Sequence, residues 1–129
     1  MNVIGVRYIK FQWHILDHNS VFTYMHGSFH VGSLCTSPSA YQDALAWCAE
    51  LLSYADSIGY HFTLLDIGGG FPGQKGTDTL FRNLSVGITE ALNKHFSSSK
   101  YPDLNIIAEP GLIFHNMHAH INSALAIPC

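Results

Sequence analysis

The stretch "LLDIGGGFPG", residues 64–73, constrains the fold more than any other part of the chain. The run "HFTLLDIG", residues 61–68, is short and nearly continuously apolar, the pattern of a strand buried on both faces in a parallel sheet. It leads directly into Gly68, Gly69 and Gly70 and then a Phe-Pro-Gly turn. Three successive residues without a Cβ mark a backbone that something approaches closely. Their bare N–H groups can also form a concave nest for an anion. A parallel strand obliges its neighbours to be reached through crossover helices, so the surrounding sequence should alternate helix and strand.

That alternation is present. Ser37 followed by Pro38 has the form of an N-cap with proline at the first helical position. Tyr41, Ala44, Leu45, Cys48, Leu51, Leu52, Ala55 and Ile58 recur at three- and four-residue spacing, and Gly59 stands where a helix would stop. This spacing predicts a helix over 38–58. Beyond the glycines, Phe81, Leu84, Ile88, Leu92 and Phe96 mark one face of a second helix, with Gly87 as a weak point costing about 1 kcal/mol relative to alanine. "LNIIAEPG", residues 104–111, reads as the next buried strand. Strand, helix, strand, helix, strand implies right-handed βαβ units, an α/β fold with a parallel sheet.

Composition narrows the functional classes. With 129 residues and 47% hydrophobic content the chain suits one packed domain, while 12% charged residues is a low share for a free-standing surface. A net charge of −3 without a Lys/Arg cluster argues against nucleic acid or an anionic membrane as partner. No apolar run approaches a membrane span and the N-terminus lacks a signal layout, so a cytoplasmic setting is the expectation. Cys35, Cys48 and Cys129 form neither a CxxC pair nor an even set, which suits reduced thiols, with Cys48 packed in the first helix. His14, His18 and His26 precede the core and His115, His118 and His120 follow it, with His14 and His18 expected on one helix face. No carboxylate or cysteine completes a ligand pattern with them, so no metal site is expected. Joining residues 2–6, "NVIGV", to residues 28–33, "SFHVGS", would give one apolar strand, so residues 7–27 read as an interruption.

Candidate site residues fall at the carboxyl ends of the strands, where parallel α/β folds place ligands. "FHVGS" offers His30, Gly32 and Ser33; the glycine run offers backbone N–H groups; "AEPG" offers the carboxylate of Glu109. Each alone has a plain structural explanation, as a turn, a core histidine or a helix-terminal charge. Together they describe phosphate donors on one side and an acid on the other. Pyridoxal phosphate, with a phosphate and a protonatable ring nitrogen, matches that layout.

"SFHVGSLC", "LLDIGGGFPG" and "IIAEPG", in this order, resemble the eukaryotic ornithine decarboxylase family of fold-type III pyridoxal-phosphate enzymes. The resemblance covers residues 28–111 and implies a partial (β/α)8 TIM-like barrel, roughly the last three βα units of an alanine-racemase-like barrel. It makes the chain a single incomplete cofactor-binding domain, with residues 7–27 and 112–129 as divergent segments. Pyridoxal 5'-phosphate is the cofactor so implied, with His30 against the pyridine ring and Ser33 on the phosphate. Gly68, Gly69 and Gly70 would supply backbone to the phosphate, and Glu109, in the Glu109-Pro110-Gly111 motif, would pair with the ring nitrogen. Asp66 would give structural support. The family decarboxylates ornithine to putrescine in polyamine synthesis, as homodimers.

Departures from the pattern shape the expectation. Leu112 stands where the family has a phosphate-holding arginine, and Leu34 where a glycine usually follows the serine. None of Lys10, Lys75, Lys94 or Lys100 stands in a motif like that of the Schiff-base lysine. The chain is therefore expected to keep part of the phosphate and ring site and to be inactive alone. The alternatives are a non-catalytic protein similar to the antizyme inhibitors or a non-functional fragment; antizyme binding is not expected, because the family's surface for it lies in an earlier part of the chain.

Overall fold

The computed structural model describes residues 8–15 and 23–110, with side chains from Met25 onward. The elements in order are β1 (Tyr8–Ile15), β2 (Thr23–His30), α1 (Pro38–Ser57), β3 (Leu64–Asp66), α2 (Asp78–His95) and β4 (Asn105–Ile107). They form a four-stranded sheet of order β1-β2-β3-β4. β2, β3 and β4 run parallel, with α1 and α2 as the crossovers, as the α/β reading expects.

β2 alternates with a period of two. Met25, Gly27, Phe29 and Val31 are buried, while His26, Ser28 and His30 are half-buried on the opposite side. The register Gly27↔Leu65↔Ile106 continues the first face across the sheet, and Phe29, Val31, Leu65 and Ile67 join the inner faces of both helices in one core. Burying each leucine of that core contributes about 2 kcal/mol.

α1 begins at Pro38, with Ser37 at the N-cap position, but the Ser37 hydroxyl bonds Ser39 Oγ at 2.7 Å instead of a helix amide. Its C-terminus is closed as the sequence suggests. Gly59 adopts φ +89°, its N–H donates to the Asp56 carbonyl at 3.0 Å and the Tyr60 N–H donates to the Ala55 carbonyl at 2.9 Å, a Schellman closure. Tyr41, Ala44, Leu45, Cys48 and Leu52 are buried as expected. Leu51 and Ile58 are not: both are exposed, in line with Trp47 and Tyr54 on the outer side of the helix. The apolar stripe is wider than the surface that the sheet and α2 cover.

Three other expectations are corrected. β3 and β4 are shorter than 61–68 and 104–111, because the regular parallel ladder spans three residues on each, although the Asn105 N–H to Thr63 carbonyl and Glu109 N–H to Gly68 carbonyl bonds extend the contact in both directions. β4 is also not buried on both faces, since Asn105 and Ile107 are exposed at the sheet edge. Finally, the helix expected at His14 is not formed, and residues 8–15 and 23–27 of the segment read as an interruption lie in strands. β2 begins at Thr23, and β1 pairs with it antiparallel from Ile15↔Thr23 to Tyr8↔His30, so that His14 lies on a strand and not on a helix. A connection as short as residues 16–22 cannot hold the crossover that a parallel pair needs, so the added strand must be antiparallel. Residues 2–6, His18 and everything from Gly111 on, including Leu112, His115, His118 and His120, lie outside the described residues. Among the described residues no helix is long and apolar enough to cross a membrane, and no group of three or more His, Cys, Asp or Glu side chains could hold a metal ion.

Gly87 is a contact point between the helices. A Cβ there would lie 2.9 Å from Pro38 Cβ and 3.3 Å from the Gln42 amide nitrogen, and Gln42 Nε2 donates to the Gly87 carbonyl at 3.3 Å. Gly87→Ala should therefore fail to yield the gain of about 1 kcal/mol that helix propensity alone would give, and should destabilise the chain in urea titrations, because the proline ring cannot move aside. Cys48 is fully buried, and burial pushes its thiol up to about 12. At pH 8 an alkylating reagent should modify half-buried Cys35 in the native chain and reach Cys48 only on unfolding, read by peptide mass spectrometry.

Candidate functional site

The glycine loop follows β3 at the carboxyl end of the parallel strands, and the structure shows what its bare backbone approaches. A Cβ on Gly68 would lie 2.2 Å from the Phe29 carbonyl oxygen, one on Gly69 2.6 Å from the Glu109 carbonyl oxygen, and one on Gly70 2.2 Å from the Gly32 carbonyl oxygen. Gly68 and Gly70 also adopt φ +68° and +97°. The ends of β2 and β4 close on the loop from both sides, so no side chain can be accommodated at any of the three positions.

Each glycine carbonyl is held by a different part of the chain. Gly68 O accepts the Glu109 N–H at 2.8 Å, Gly69 O accepts the Tyr41 hydroxyl at 2.8 Å, and Gly70 O accepts the Cys35 N–H at 2.9 Å. In a trans peptide the C=O of one residue and the N–H of the next point in opposite directions. Bonds from protein groups to the Gly68 and Gly69 carbonyls therefore turn the Gly69 and Gly70 N–H groups away from those groups. Neither N–H has an acceptor among the described residues, although Gly69 is buried. Two donors on adjacent residues without an acceptor among the described residues are groups that an anion could satisfy. The Gly68 N–H is used internally, donating to Asp66 Oδ1 at 2.8 Å, which gives Asp66 a supporting role in the turn.

The expected site residues are placed as follows. His30 ends β2 on the face away from the helices, half-buried, and its Nε2 is 3.6 Å from where a Gly69 Cβ would be. Its Nδ1 accepts the Gly32 N–H at 2.9 Å, so the neutral ring carries its proton on Nε2. Ser33 is exposed in the turn before Leu34, and the Cys35 N–H to Gly70 carbonyl bond ties that turn to the glycine loop. Glu109 is exposed just past β4, its backbone against Gly68 and Gly69, and Pro110 is half-buried. Gly111 lies outside the described residues. Three strand ends that are distant in sequence thus meet around Gly69.

Sequence patterning missed one contributor. Tyr41 follows the apolar period of α1, yet it is fully buried, stacks on Phe71 with centroids 5.3 Å apart, and anchors the loop through its hydroxyl. The signal available was the residue type itself, since a tyrosine at a core position needs a partner for its O–H.

Residues 25–116 match the pyridoxal binding domain of the pyridoxal-dependent decarboxylases. The chain belongs to this family. It is similar to ornithine decarboxylase of Panagrellus redivivus, 41% identical over 87 residues that make up 67% of this chain and 20% of that protein. It is also similar to antizyme inhibitor 2 of Xenopus laevis, 44% identical over 84 residues that make up 65% of this chain and 18% of that protein. Among solved structures it resembles the Paramecium bursaria Chlorella virus arginine decarboxylase bound to agmatine, with a TM-score of 0.58 and 36% identity over 67% of this chain and 22% of that one. The chain thus spans about a fifth of the length of these curated relatives. The three parallel strands with their crossover helices are a partial barrel of the pyridoxal-phosphate decarboxylase type, and by family resemblance the cofactor is pyridoxal phosphate.

Leu34 carries a cost at this site. It is the one non-glycine among the described residues with positive φ, at +57°, in the conformation that favours the glycine expected at this position. Its side chain is 48% exposed and so recovers little by packing. Leu34→Gly should raise stability by about 1 kcal/mol, the relief of the left-handed backbone outweighing the added freedom of the unfolded chain. Denaturant midpoints at constant m-value check this.

Proposed function

We propose that this chain holds pyridoxal phosphate without a covalent bond at the three strand ends, as the phosphate and ring cradle of an ornithine decarboxylase-like protein. The observation that supports it best is the pair of N–H groups on Gly69 and Gly70 that have no acceptor among the described residues, next to the Ser33 turn. These donors and the Ser33 hydroxyl would take the phosphate. His30, fixed through its Nδ1, would lie against the ring, and the Glu109 carboxylate would accept the ring N–H and keep that nitrogen protonated. When bound, the cofactor supplies an electron sink for the carbanion left as CO2 departs. The residues present fit the group.

Decarboxylation of ornithine to putrescine, in a homodimer, is the activity we assign to the whole protein of this class. For this chain we infer binding without turnover. Lys94 and Lys100 line the groove beside Ser57 at the other end of the helices, the end far from the strand carboxyl termini, and Lys75 is exposed beyond the glycine loop. One observation favours a second reading, a non-catalytic partner protein of the antizyme-inhibitor kind: the strained Leu34 beside Ser33 compromises the phosphate turn.

Purified chain titrated with pyridoxal phosphate should show saturable binding by absorbance, competed by inorganic phosphate and weakened several-fold by Ser33→Ala, a change to one exposed hydroxyl. Labelled ornithine should release no CO2 with the same sample. Phosphate-insensitive uptake would contradict the cradle, release of CO2 would contradict the absence of turnover, and a lack of any uptake would favour the second reading.

A further inference from the structure

Three peptide planes make up the glycine loop, and they are not held in the same way. The Gly68–Gly69 plane is fixed by the backbone of Glu109 and the Gly70–Phe71 plane by the backbone of Cys35. The Gly69–Gly70 plane is held by a side chain, the Tyr41 hydroxyl, at 2.8 Å. It is also flanked on both sides by glycine, the residue with the widest choice of φ and ψ, so sterics of its own chain do little to stop the plane from turning over. Its Gly70 N–H is one of the two donors without an acceptor among the described residues.

Tyr41 is well suited to pin such a plane. The residue is fully buried, its ring stacks on Phe71 at an interplanar angle of 15°, and its hydroxyl oxygen would be 3.4 Å from a Cβ on Gly70. Packing fixes the ring, and the hydroxyl has one described acceptor, Gly69 O. Burial also pushes the hydroxyl well above the ordinary tyrosine range, so it stays protonated and donating.

We propose that Tyr41 is a positioning residue for anion binding: its hydroxyl locks the Gly69–Gly70 peptide so that the Gly70 N–H faces the phosphate of the cofactor. This rests on the pyridoxal-phosphate reading given above. It assigns α1 a part in the site, although Tyr41 itself does not touch the ligand.

The test uses the full chain, its Tyr41→Phe variant and, as a stability control in the same core, Leu52→Val. The probes are pyridoxamine 5'-phosphate, which has an amine in place of the aldehyde and cannot react with lysines, and pyridoxamine, which lacks the phosphate. Tyr41→Phe keeps the stacked ring and should weaken pyridoxamine 5'-phosphate roughly fivefold to tenfold, leaving pyridoxamine unchanged. Leu52→Val should change the affinity for neither probe. In 15N spectra of the wild type, inorganic phosphate should move the Gly70 amide, and in Tyr41→Phe that displacement should shrink. Equal weakening of both probes, or a matching loss in Leu52→Val, would mean a purely structural role and overturn the inference. So would wild-type affinity in Tyr41→Phe, while leaving the cofactor reading intact. A wild type that binds neither pyridoxamine 5'-phosphate nor phosphate overturns the cofactor reading and this inference with it.

Discussion

The hydrogen bonds to the three glycine carbonyls are the constraint on which the rest of the site depends. Each comes from a different element, β4 through Glu109, α1 through Tyr41 and the β2–α1 connection through Cys35. Together they dock the ends of both neighbouring strands and the first turn of the helix onto one short loop. A single side chain on that loop would drive these elements apart, because the closest atoms are backbone carbonyl oxygens that cannot rotate away. The same bonds that assemble the sheet's carboxyl end also orient the Gly69 and Gly70 N–H groups, so the scaffold and the candidate site are one piece of backbone.

The sheet has two unlike faces. Under the helices, Phe29, Val31, Leu65 and Ile67 lie in a continuous core. On the other side His26, Ser28, His30, Leu64 and Asp66 are only half-buried, and Ile107 is 46% exposed. In a closed barrel the second face would line the interior, and the edge of β4 that has no partner strand among the described residues would meet another strand. The edge of β2 is handled differently. There β1 supplies an antiparallel neighbour through a short connection, which satisfies the edge hydrogen bonds locally without a further βαβ unit.

Much of this was legible beforehand. Pro38 and Gly59 bracket α1, the glycine run marks the loop, and the motif spacing leads to the family. Other features were misread for physical reasons. Leu51 and Ile58 follow the helical period yet face outward, because periodicity does not reveal how wide the covering surface is. Gly87 looked like a defect in helix propensity, which ignores the Pro38 ring that packs against it. The strand pairing of residues 8–15 with 23–30 was hidden because joining residues 2–6 to 28–33 offers an equally apolar strand, and pairing between two stretches is not written in the pattern of either.

The sequence by itself determined the order of elements, the position of a parallel strand ending in glycines, and the residue types available for a phosphate and a ring nitrogen. These follow from local rules, the period of apolar residues and the freedom of residues without a Cβ. Only the tertiary structure decided which groups the glycines meet, that Tyr41 anchors Gly69, and that the Gly69 and Gly70 N–H groups are the ones left over. Those facts depend on which distant backbone carbonyls and hydroxyls the packing of α1 and β4 brings to the loop, and a count along one chain carries no information about that.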